Sequence, residues 1–469
     1  MRETDILVVG AGPAGYVGAI KLGRLGKRVA LVEGNKLGGE CLNYGCIPSK
    51  ALINASWLAH RAAKGLQPGV TAESVKVDMG RLQGWKSGLL AALSKNIGTL
   101  AKANGVEVVS GTATFTSANE ARIVSGGSEE TIRFTSALIA TGTRPAALPG
   151  FDFDGTWRLT NREALDLPEA PASLLVIGGG AIGLELGTFY AKLGSKVTVV
   201  EFMPQLLPGM ESDLVAVISK SLQRLGVEVL VSSKAKRALP GSGQGEARQV
   251  VIETPEGEKT IEAGRVIVSV GRVPCTQGLG LDAAGVKTDA KGHIVVDKSM
   301  RTSVPHIYAS GDIAGPPYLA HKASAEAMIA AAAIAGAAPH DLGPVPMAVF
   351  TDPEAASVGE TEAAAKSRGV EVLVGKFPFA ACGRAQTMRE TEGFVKVVAE
   401  KIGHRILGVS MVGPHASELI SEACLAVKLK ATLEDVSRTI HPHPTLPEAF
   451  MEACEAAIGQ AIHILGPKS

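Results

Sequence analysis

The most regular pattern in this chain is an apolar strand followed by a glycine-rich turn and a helix, and it occurs twice. The first copy is a strand at residues 6–9, a turn at 10–15, a helix to Leu25, and a second strand at 29–32. A short apolar run that ends at a glycine turn and is followed by a helical segment is typical of a β-α-β unit. The chain is therefore predicted to contain a doubly wound α/β fold with mostly parallel sheets.

The second copy of the pattern has a strand at 174–177, a turn at 178–183, a helix, and a strand at 196–200. Each copy ends in a glutamate, Glu33 or Glu201, that stands 18 positions after the last glycine of its turn. In dinucleotide-binding turns the first glycine permits the bend, the second lets the backbone approach the pyrophosphate, and the third lets helix pack on strand. The glycines predicted for these roles are Gly10, Gly12 and Gly15 in the first copy and Gly178, Gly180 and Gly183 in the second. A lone glycine motif is weak evidence, and two loops with only packing roles are the alternative, but the full context is present twice.

Glu201 also bears on the choice of nucleotide. A carboxylate at the end of the second strand accepts hydrogen bonds from ribose hydroxyls and repels the additional phosphate of an NADP-type cofactor. The second copy is therefore predicted to bind NAD. The alternative is that Glu201 is a solvated strand end, and Lys196 nearby weakens its field.

The C-terminal part has a different pattern. Apolar and β-branched residues at 393–398 and 406–410 predict two strands, and the segment around 417–428 predicts helices, which together indicate an α+β layer. An alanine-rich run at 323–338 is interrupted by Glu326 and is too short to span a bilayer, so it is predicted to be a buried core helix.

Composition narrows the function only modestly. A chain of 469 residues is longer than a single hydrophobic core usually serves, so more than one domain is expected. The net charge of +1 gives no reason to expect a nucleic acid or a membrane as partner. The N-terminus has no signal-peptide pattern, and four of the six cysteines are far apart in sequence. This usage favours a reducing cytoplasm, in which a disulfide that does form tends to be catalytic.

Cys41 and Cys46 are the two cysteines that lie close together. In a regular helix five residues advance the chain by about 7.5 Å and turn the side chains apart, so a disulfide between them requires a distorted turn. Gly45 supplies the freedom for such a distortion, and thiolates near a helix N-terminus are stabilised by unpaired amides. A redox-active pair beside a nucleotide site is the favoured interpretation. The alternatives are a static crosslink and half of a zinc site, but no metal site is expected, because no second close Cys or His pair accompanies the cysteines.

Together, three motifs resemble those of the flavin-dependent pyridine nucleotide-disulfide oxidoreductases. They are the segment GGECLNYGCIPSK at 38–50, the two glycine fingerprints, and HPHPTLPE at 441–448. The resemblance covers essentially the whole chain. It implies FAD at the first fingerprint and NAD at the second, in two Rossmann-like domains followed by an α+β dimerisation domain. The implied segments are 1–148 for FAD, 149–274 for NAD, 275–345 for the returning FAD or central part, and 346–469 for the interface.

Further matches place additional cofactor residues by resemblance. The segment 140–145 carries Thr141 and Gly142, the segment 270–274 carries Gly271, and the segment 307–312 ends at Asp312, which would bind the ribityl chain of the flavin. Lys50, one helical turn after Cys46, would lie near the flavin ring and pair with Glu185. A solvated Lys and Glu remain the alternative reading of these two positions.

The HPHPTLPE segment suggests a general base. The proline after His443 biases that residue toward an extended backbone, in which a cis bond is possible, and Glu448 could orient the imidazole as in a catalytic triad. A metal-binding His pair or a proline-rich turn would explain the residues equally well without the resemblance. The resemblance implies that His443 reaches the thiols of the other subunit, so a homodimer is expected.

The likeness is strongest to members that oxidise dihydrolipoyl groups with NAD. It implies that Cys41 exchanges with substrate, that Cys46 faces the flavin, and that the substrate is dihydrolipoamide or the lipoyl domain of an acyltransferase. One departure is Glu40, which stands where a small hydroxyl residue often precedes the first cysteine, and its carboxylate is expected to disfavour the Cys41 thiolate. Two alternatives are retained: another NAD(P)H-dependent disulfide reductase, of the glutathione or mercuric type, and a component whose main role is docking in a multienzyme complex.

Overall fold

The computed structural model describes residues 2–65, 67–239, 248–338 and 340–465. Met1 and residues 466–469, which belong to the predicted first and last segments, lie outside this range. The first part of the chain contains the following elements: β1 (Arg2–Val9), α1 (Pro13–Arg24), β2 (Val29–Glu33), α2 (Gly39–Tyr44), α3 (Cys46–Ala63), α4 (Met79–Ala103), β3 (Val106–Ser110), β4 (Thr112–Phe115), β5 (Glu120–Ser125), β6 (Ser128–Ile139) and β7 (Thr143–Pro145).

The second part contains the second glycine turn. Its elements are β8 (Arg158–Leu159), α5 (Asn161–Leu165), β9 (Ser173–Ile177), α6 (Ala181–Lys192), β10 (Lys196–Val200), α7 (Ser212–Arg224), β11 (Glu228–Leu230), β12 (Lys234–Leu239), β13 (Arg248–Thr254), β14 (Gly257–Ala263) and β15 (Arg265–Val268).

The remaining elements complete the chain. They are β16 (Arg272–Pro274), α8 (Leu281–Ala284), β17 (Ile307–Ala309), α9 (Ala320–Ile334), β18 (Met347–Val349), β19 (Glu354–Gly359), α10 (Glu362–Ser367), β20 (Val372–Pro378), α11 (Gly383–Met388), β21 (Phe394–Glu400), β22 (Ile406–Gly413), α12 (Ala416–Leu429), α13 (Leu433–Ser437) and α14 (Glu448–Ala457). Two short 3-10 turns occur at Asp312–Ala314 and Phe379–Ala381.

The chain folds into two compact units. The first unit consists of Met1–Leu52, Met79–Ala146 and Gly271–Leu342, and the second consists of Ile53–Asp78, Ala147–Val270 and Gly343–Ser469. The four segments drawn from the sequence stay a prediction.

The first unit is built on a sheet with the strand order β3-β2-β1-β6-β5-β4, and β17 pairs with β6. This sheet is mixed, because β5 is antiparallel to both β4 and β6. β1 is parallel to both β2 and β6, and its apolar residues are buried on both faces, as is usual where helices cover a parallel sheet. Leu7 and Val9 enter the core on one face, and Ile6 and Val8 enter the core on the other, which also contains Leu22 of α1. The carboxyl end of β1 is thereby held rigidly, and the first glycine turn starts there.

The second unit contains a parallel sheet, of order β11-β10-β9-β15-β8, and two antiparallel sheets. One of these has the order β18-β19-β22-β21-β20, and residues of α12 and α14 share its core, including Ile420 and Phe450. The predicted C-terminal strands and helix are therefore confirmed as β21, β22 and α12. The alanine-rich run is also helical, since α9 contains most of it, and Ala327 and Ala330 are fully buried.

Candidate active site

In the first glycine turn, neighbouring backbone atoms lie so close that two of the three positions have no room for a side chain. Gly10 has φ +93°, and a Cβ there would lie 2.5 Å from the carbonyl oxygen of Ala140. A Cβ on Gly15 would lie 1.7 Å from the carbonyl oxygen of Gly10, whereas no described atom lies within 4 Å of a Cβ on Gly12. The first and third glycines are thus required by the protein's own packing. The backbone at Gly12 is open, which fits the close approach of a pyrophosphate to the N-terminus of α1.

The second turn repeats this construction in the second unit. Gly178 has φ +111°, and a Cβ there would lie 2.4 Å from the carbonyl oxygen of Ser269. A Cβ on Gly183 would lie 2.2 Å from the carbonyl oxygen of Gly178, and Gly180 again has no described atom within 4 Å of that position. Both turns therefore fit a dinucleotide, as the sequence predicts.

The two acids that follow the turns have a structural role that sequence reasoning missed. Glu33 accepts hydrogen bonds from the amides of Ala11 at 2.7 Å and Asn35 at 2.8 Å. Glu201, only 7% exposed, accepts from the amides of Gly179 at 2.6 Å and Met203 at 2.7 Å. Each acid therefore braces its own glycine turn. Because a carboxylate has about four acceptor sites, capacity remains for ribose hydroxyls.

The two thiols lie on either side of a helix break. Cys41 is on α2 and Cys46 begins α3, and Gly45 between the helices has φ −140° and ψ −104°. The predicted distortion at Gly45 is confirmed. The amide of Gly38, just before α2, donates to the carbonyl oxygen of Ala11 at 2.8 Å, which places the start of α2 against the first glycine turn.

No disulfide joins Cys41 to Cys46 in the structure, so the disulfide itself stays a prediction. The hydrogen bond with Cys46, burial, and the negative charge of a Cys46 thiolate raise the pKa of Cys41, and the ammonium of Lys50 opposes this rise. The Cys41 thiol therefore holds its proton more tightly than an isolated cysteine does while Cys46 lies beside it.

Asp312, the predicted ribityl ligand, stands in a loop that α9 holds at both ends. Glu326 accepts a hydrogen bond from the amide of Gly311 at 2.8 Å, and Lys322 donates to the carbonyl oxygen of Gly315 at 2.9 Å. Glu326 and Lys322 also form a buried ion pair at 2.8 Å. Sequence reasoning treated Glu326 only as an interruption. A Glu and a Lys four residues apart in an otherwise apolar helix are the signal that could have revealed this clamp.

Thr141, Gly142 and Gly271 lie where the chain leaves the first unit and returns to it. The hydroxyl of Thr141 donates to the carbonyl oxygen of Cys275 at 3.0 Å, and the carbonyl oxygen of Gly142 accepts from the amide of Cys275 at 2.9 Å. Gly271 accepts from the amide of Ala146 at 3.0 Å. These bonds and the pairing of β7 with β16 hold together the two chain segments at which the first unit is left and re-entered. Direct contact of the three residues with a cofactor stays a prediction.

The side chain of Glu40 forms an ion pair with Arg272 at 3.3 Å. The main causes of the raised pKa of Cys41 are its bond with Cys46 and burial, whereas the charge of Glu40 contributes to raising the pKa of Asp312 after burial. The expectation that the Glu40 carboxylate disfavours the Cys41 thiolate stays a prediction. That carboxylate pairs with Arg272, and its charge also acts on Asp312.

His443 and Glu448 are joined as the sequence suggests. Nδ1 of His443 is 2.8 Å from a carboxylate oxygen of Glu448, the first residue of α14, and the His443–Pro444 peptide bond is cis. Burial raises the pKa of Glu448, but the amide of Thr445 and the imidazole outweigh it, so the pKa lies below its usual range. The imidazole side chain is 78% exposed. It is thus oriented on one ring nitrogen and accessible on the other.

Two predicted pairings join residues of different units and stay predictions. Lys50 belongs to the first unit and Glu185 to the second, where Glu185 accepts a hydrogen bond from the amide of Phe350 at 3.0 Å. Likewise, Cys41 and Cys46 belong to the first unit and His443 to the second.

Among the described residues, no helix is both long and apolar enough to cross a membrane.

Comparison with known proteins identifies the class of enzyme. The family model for pyridine nucleotide-disulphide oxidoreductases matches residues 4–327, and the model for the dimerisation domain of that family matches residues 345–454. The chain belongs to the pyridine nucleotide-disulphide oxidoreductase family. It is an oxidoreductase with the α/β fold predicted from its sequence, and the prediction of FAD and NAD as cofactors is confirmed for its family.

Similar proteins within this family include two dihydrolipoyl dehydrogenases and one solved structure. The chain is 48% identical over 465 residues to dihydrolipoyl dehydrogenase from Geobacillus stearothermophilus, covering 99% of this chain and 98% of the relative. It is 47% identical to dihydrolipoyl dehydrogenase from Haloferax volcanii, covering 98% of both proteins. The crystal structure of LpdA from Mycobacterium tuberculosis matches with a TM-score of 0.88 and 28% identity, covering 97% of this chain and 99% of that chain.

Proposed function

We propose that this chain oxidises dihydrolipoyl groups to lipoyl groups and reduces NAD⁺ to NADH. The observation that carries the proposal is the thiol pair Cys41 and Cys46, which lies on either side of a helix break. The residue before the first of these helices, Gly38, is hydrogen-bonded to the first dinucleotide turn. The similarity to two dihydrolipoyl dehydrogenases over nearly the whole chain supports the choice of substrate. The carboxylate of Glu201, at the ribose end of the second turn, supports NAD over NADP.

The chemical step is thiol-disulfide exchange. A substrate thiolate attacks the sulfur of Cys41 in the oxidised pair, forms a mixed disulfide, and releases Cys46 as a thiolate. The second substrate thiolate then attacks the substrate sulfur of the mixed disulfide, which closes the lipoyl ring and leaves Cys41 reduced. The two electrons of the substrate now reside on the thiol pair. FAD and NAD⁺, when bound, supply the electron-accepting chemistry that restores the disulfide.

The proton of the substrate thiol is assigned to His443. A thiol attacks poorly until it is deprotonated, and an exposed imidazole held on Nδ1 by Glu448 can accept that proton on Nε2. We propose that this imidazole serves the thiols of the second subunit of a homodimer. The presence of the family's dimerisation domain at residues 345–454 supports this arrangement.

We further propose that the natural substrate is a dihydrolipoyl group on the lipoyl domain of an acyltransferase, in a cytoplasmic 2-oxo acid dehydrogenase complex. The likeness to dihydrolipoyl dehydrogenases supports this partner. The spacing of the other four cysteines along the chain supports a reducing compartment.

The test is the appearance of NADH when purified protein is mixed with dihydrolipoamide and NAD⁺, with NADP⁺ in a parallel reaction. The proposal predicts turnover that is faster with NAD⁺ than with NADP⁺. A protein that carries FAD but fails to oxidise dihydrolipoamide, and instead reduces glutathione disulfide with NADPH, would refute the substrate and leave the family assignment intact.

A further inference from the structure

In the first unit one guanidinium, that of Arg272, pairs with the carboxylate of Glu40 and is linked to the carboxylate of Asp312 through the hydroxyl of Thr143. Glu40 follows Gly39, and a Cβ on Gly39 would lie 2.6 Å from Cα of Gly12. Glu40 therefore stands one residue from the backbone position that the turn leaves open for the pyrophosphate. A carboxylate at that place opposes the binding of an anionic group unless a cation compensates it.

Arg272 has the geometry of that cation. Its side chain is 12% exposed and forms the ion pair with Glu40 at 3.3 Å. Its Nε donates to the hydroxyl of Thr143 at 2.8 Å, and its Nη2 donates to the carbonyl oxygen of Thr143 at 2.9 Å. The guanidinium thus contacts three polar groups, of which one belongs to α2 and two belong to Thr143 of β7.

Thr143 links Arg272 to the loop that contains Asp312. Its hydroxyl accepts from Arg272 and donates to a carboxylate oxygen of Asp312 at 2.8 Å. Burial raises the pKa of Asp312 and the charge of Glu40 raises it further, while Thr143, Arg272 and Lys322 lower it. Of the two cations, Lys322 already pairs with Glu326. Arg272 therefore acts on both carboxylates, on Glu40 by direct pairing and on Asp312 by its charge and through Thr143.

We propose that Arg272 is a positioning residue of the FAD site, which compensates the charges of Glu40 and Asp312 and through Thr143 keeps the start of α2 and the Asp312 loop in the arrangement that receives the cofactor. Glu40 and Arg272 act as one unit: the chain tolerates a carboxylate next to the catalytic cysteine because Arg272 neutralises it. The inference rests on the proposed function only in taking FAD as the ligand of the first turn.

The test is a double-mutant cycle read out as FAD affinity. Holoprotein is dialysed to equilibrium, and free FAD is measured by its fluorescence for the wild type, Arg272→Met, Glu40→Thr and the double variant. Arg272→Met is expected to weaken FAD binding about 10-fold or more, since it removes the positive charge that pairs with Glu40 and the two hydrogen bonds to Thr143. Glu40→Thr alone is expected to change affinity by less than about 3-fold, and the double variant is expected to bind at least about 3-fold more tightly than Arg272→Met.

Two further variants separate charge from structure. Arg272→Lys keeps the positive charge and is expected to bind FAD at least about 3-fold more tightly than Arg272→Met. Arg144→Met, an exposed position on the paired strand β7, is the matched control and should retain wild-type affinity. The proposal is overturned if Arg272→Met binds FAD normally, or if its loss is the same whether residue 40 is Glu or Thr. Substrate turnover does not enter these measurements, so a different disulfide substrate would leave the result unaffected.

Discussion

The glycine turns after β1 and β9 share a backbone construction but differ in the loop that returns to them. In the first unit the amide of Gly38 bonds the carbonyl oxygen of Ala11 and the chain enters α2 with its thiol. In the second unit the amide of Leu207 bonds the carbonyl oxygen of Gly179 at 2.9 Å, and that loop continues without a cysteine to α7. The same backbone construction therefore leads into a thiol-bearing helix in one unit and into a loop without a cysteine in the other. The difference resides in what the returning loop carries.

The largest effect on activity is expected from removing one thiol of the first unit. Cys46→Ser is expected to lower NAD-dependent oxidation of dihydrolipoamide by at least about 10³-fold, because the exchange has no second sulfur, while FAD remains bound. Steady-state NADH formation and the flavin absorbance of the purified protein check this. Cys424→Ser, on α12, is the control and should keep wild-type rates. Substantial turnover in Cys46→Ser would place the redox chemistry elsewhere.

His443→Gln should give the next largest effect, a fall in kcat of about 10²-fold or more, because proton transfer then lacks a positioned base. FAD content and the KM for NAD⁺ should stay near their wild-type values. His404→Gln removes a histidine that forms a half-buried pair with Glu434 in the same unit, and it should have little effect on turnover. If both variants lose activity to the same extent, His443 has no special role.

Substitution of the second glycine of each turn, Gly12 or Gly180, should distinguish the FAD site from the NAD site. Gly12→Ala and Gly180→Ala add a Cβ that meets no described atom within 4 Å, so both should fold normally. Gly12→Ala is expected to weaken FAD retention, and Gly180→Ala to raise the KM for NAD⁺ by about 10-fold or more, since each methyl group occupies the approach of a pyrophosphate. Thermal unfolding, FAD content and KM measure the three effects. A loss of FAD in Gly180→Ala would contradict the assignment of the two turns.

The smallest expected effect concerns nucleotide choice. Glu201→Ala should reduce the preference for NAD⁺ over NADP⁺ by about 5-fold to 10-fold, because the repulsion of a 2′-phosphate is lost. It should also lower the melting temperature, since the amides of Gly179 and Met203 lose their acceptor. The ratio of kcat/KM for the two nucleotides is the measurement. Lys196→Ala at the opposite end of β10 should leave that ratio unchanged.

The sequence was most informative where local spacing determines packing. The glycines of each turn, the strands beside them and the helix break at Gly45 were predictable from local spacing. A Cβ on the first or third glycine of each turn would collide with neighbouring backbone, whereas the second glycine leaves the backbone open to a ligand. The predicted end of the first helix at Leu25 lies one residue beyond Arg24, where α1 ends. The joining of His443 and Glu448 could also be expected, since five residues separate them.

The network around Arg272 could not be predicted from the sequence. Arg272 and Thr143 are 129 positions apart, and Thr143 and Asp312 are 169 positions apart, so no local periodicity links them. Glu40 looked like a modifier of the adjacent Cys41, but its side chain reaches a strand from a later part of the chain. Side-chain direction across long sequence separations depends on tertiary packing, which a single sequence does not display.

The most direct test of the central claim is differential alkylation of the cysteines with identification by mass spectrometry. Oxidised holoprotein is mixed with dihydrolipoamide in the absence of nucleotide, trapped with one alkylating reagent, and compared with a sample to which NAD⁺ is then added. The account predicts that Cys41 and Cys46 become alkylated after reduction and are protected again after NAD⁺. Modification that ignores these two residues, or protection that does not return with NAD⁺, would contradict it.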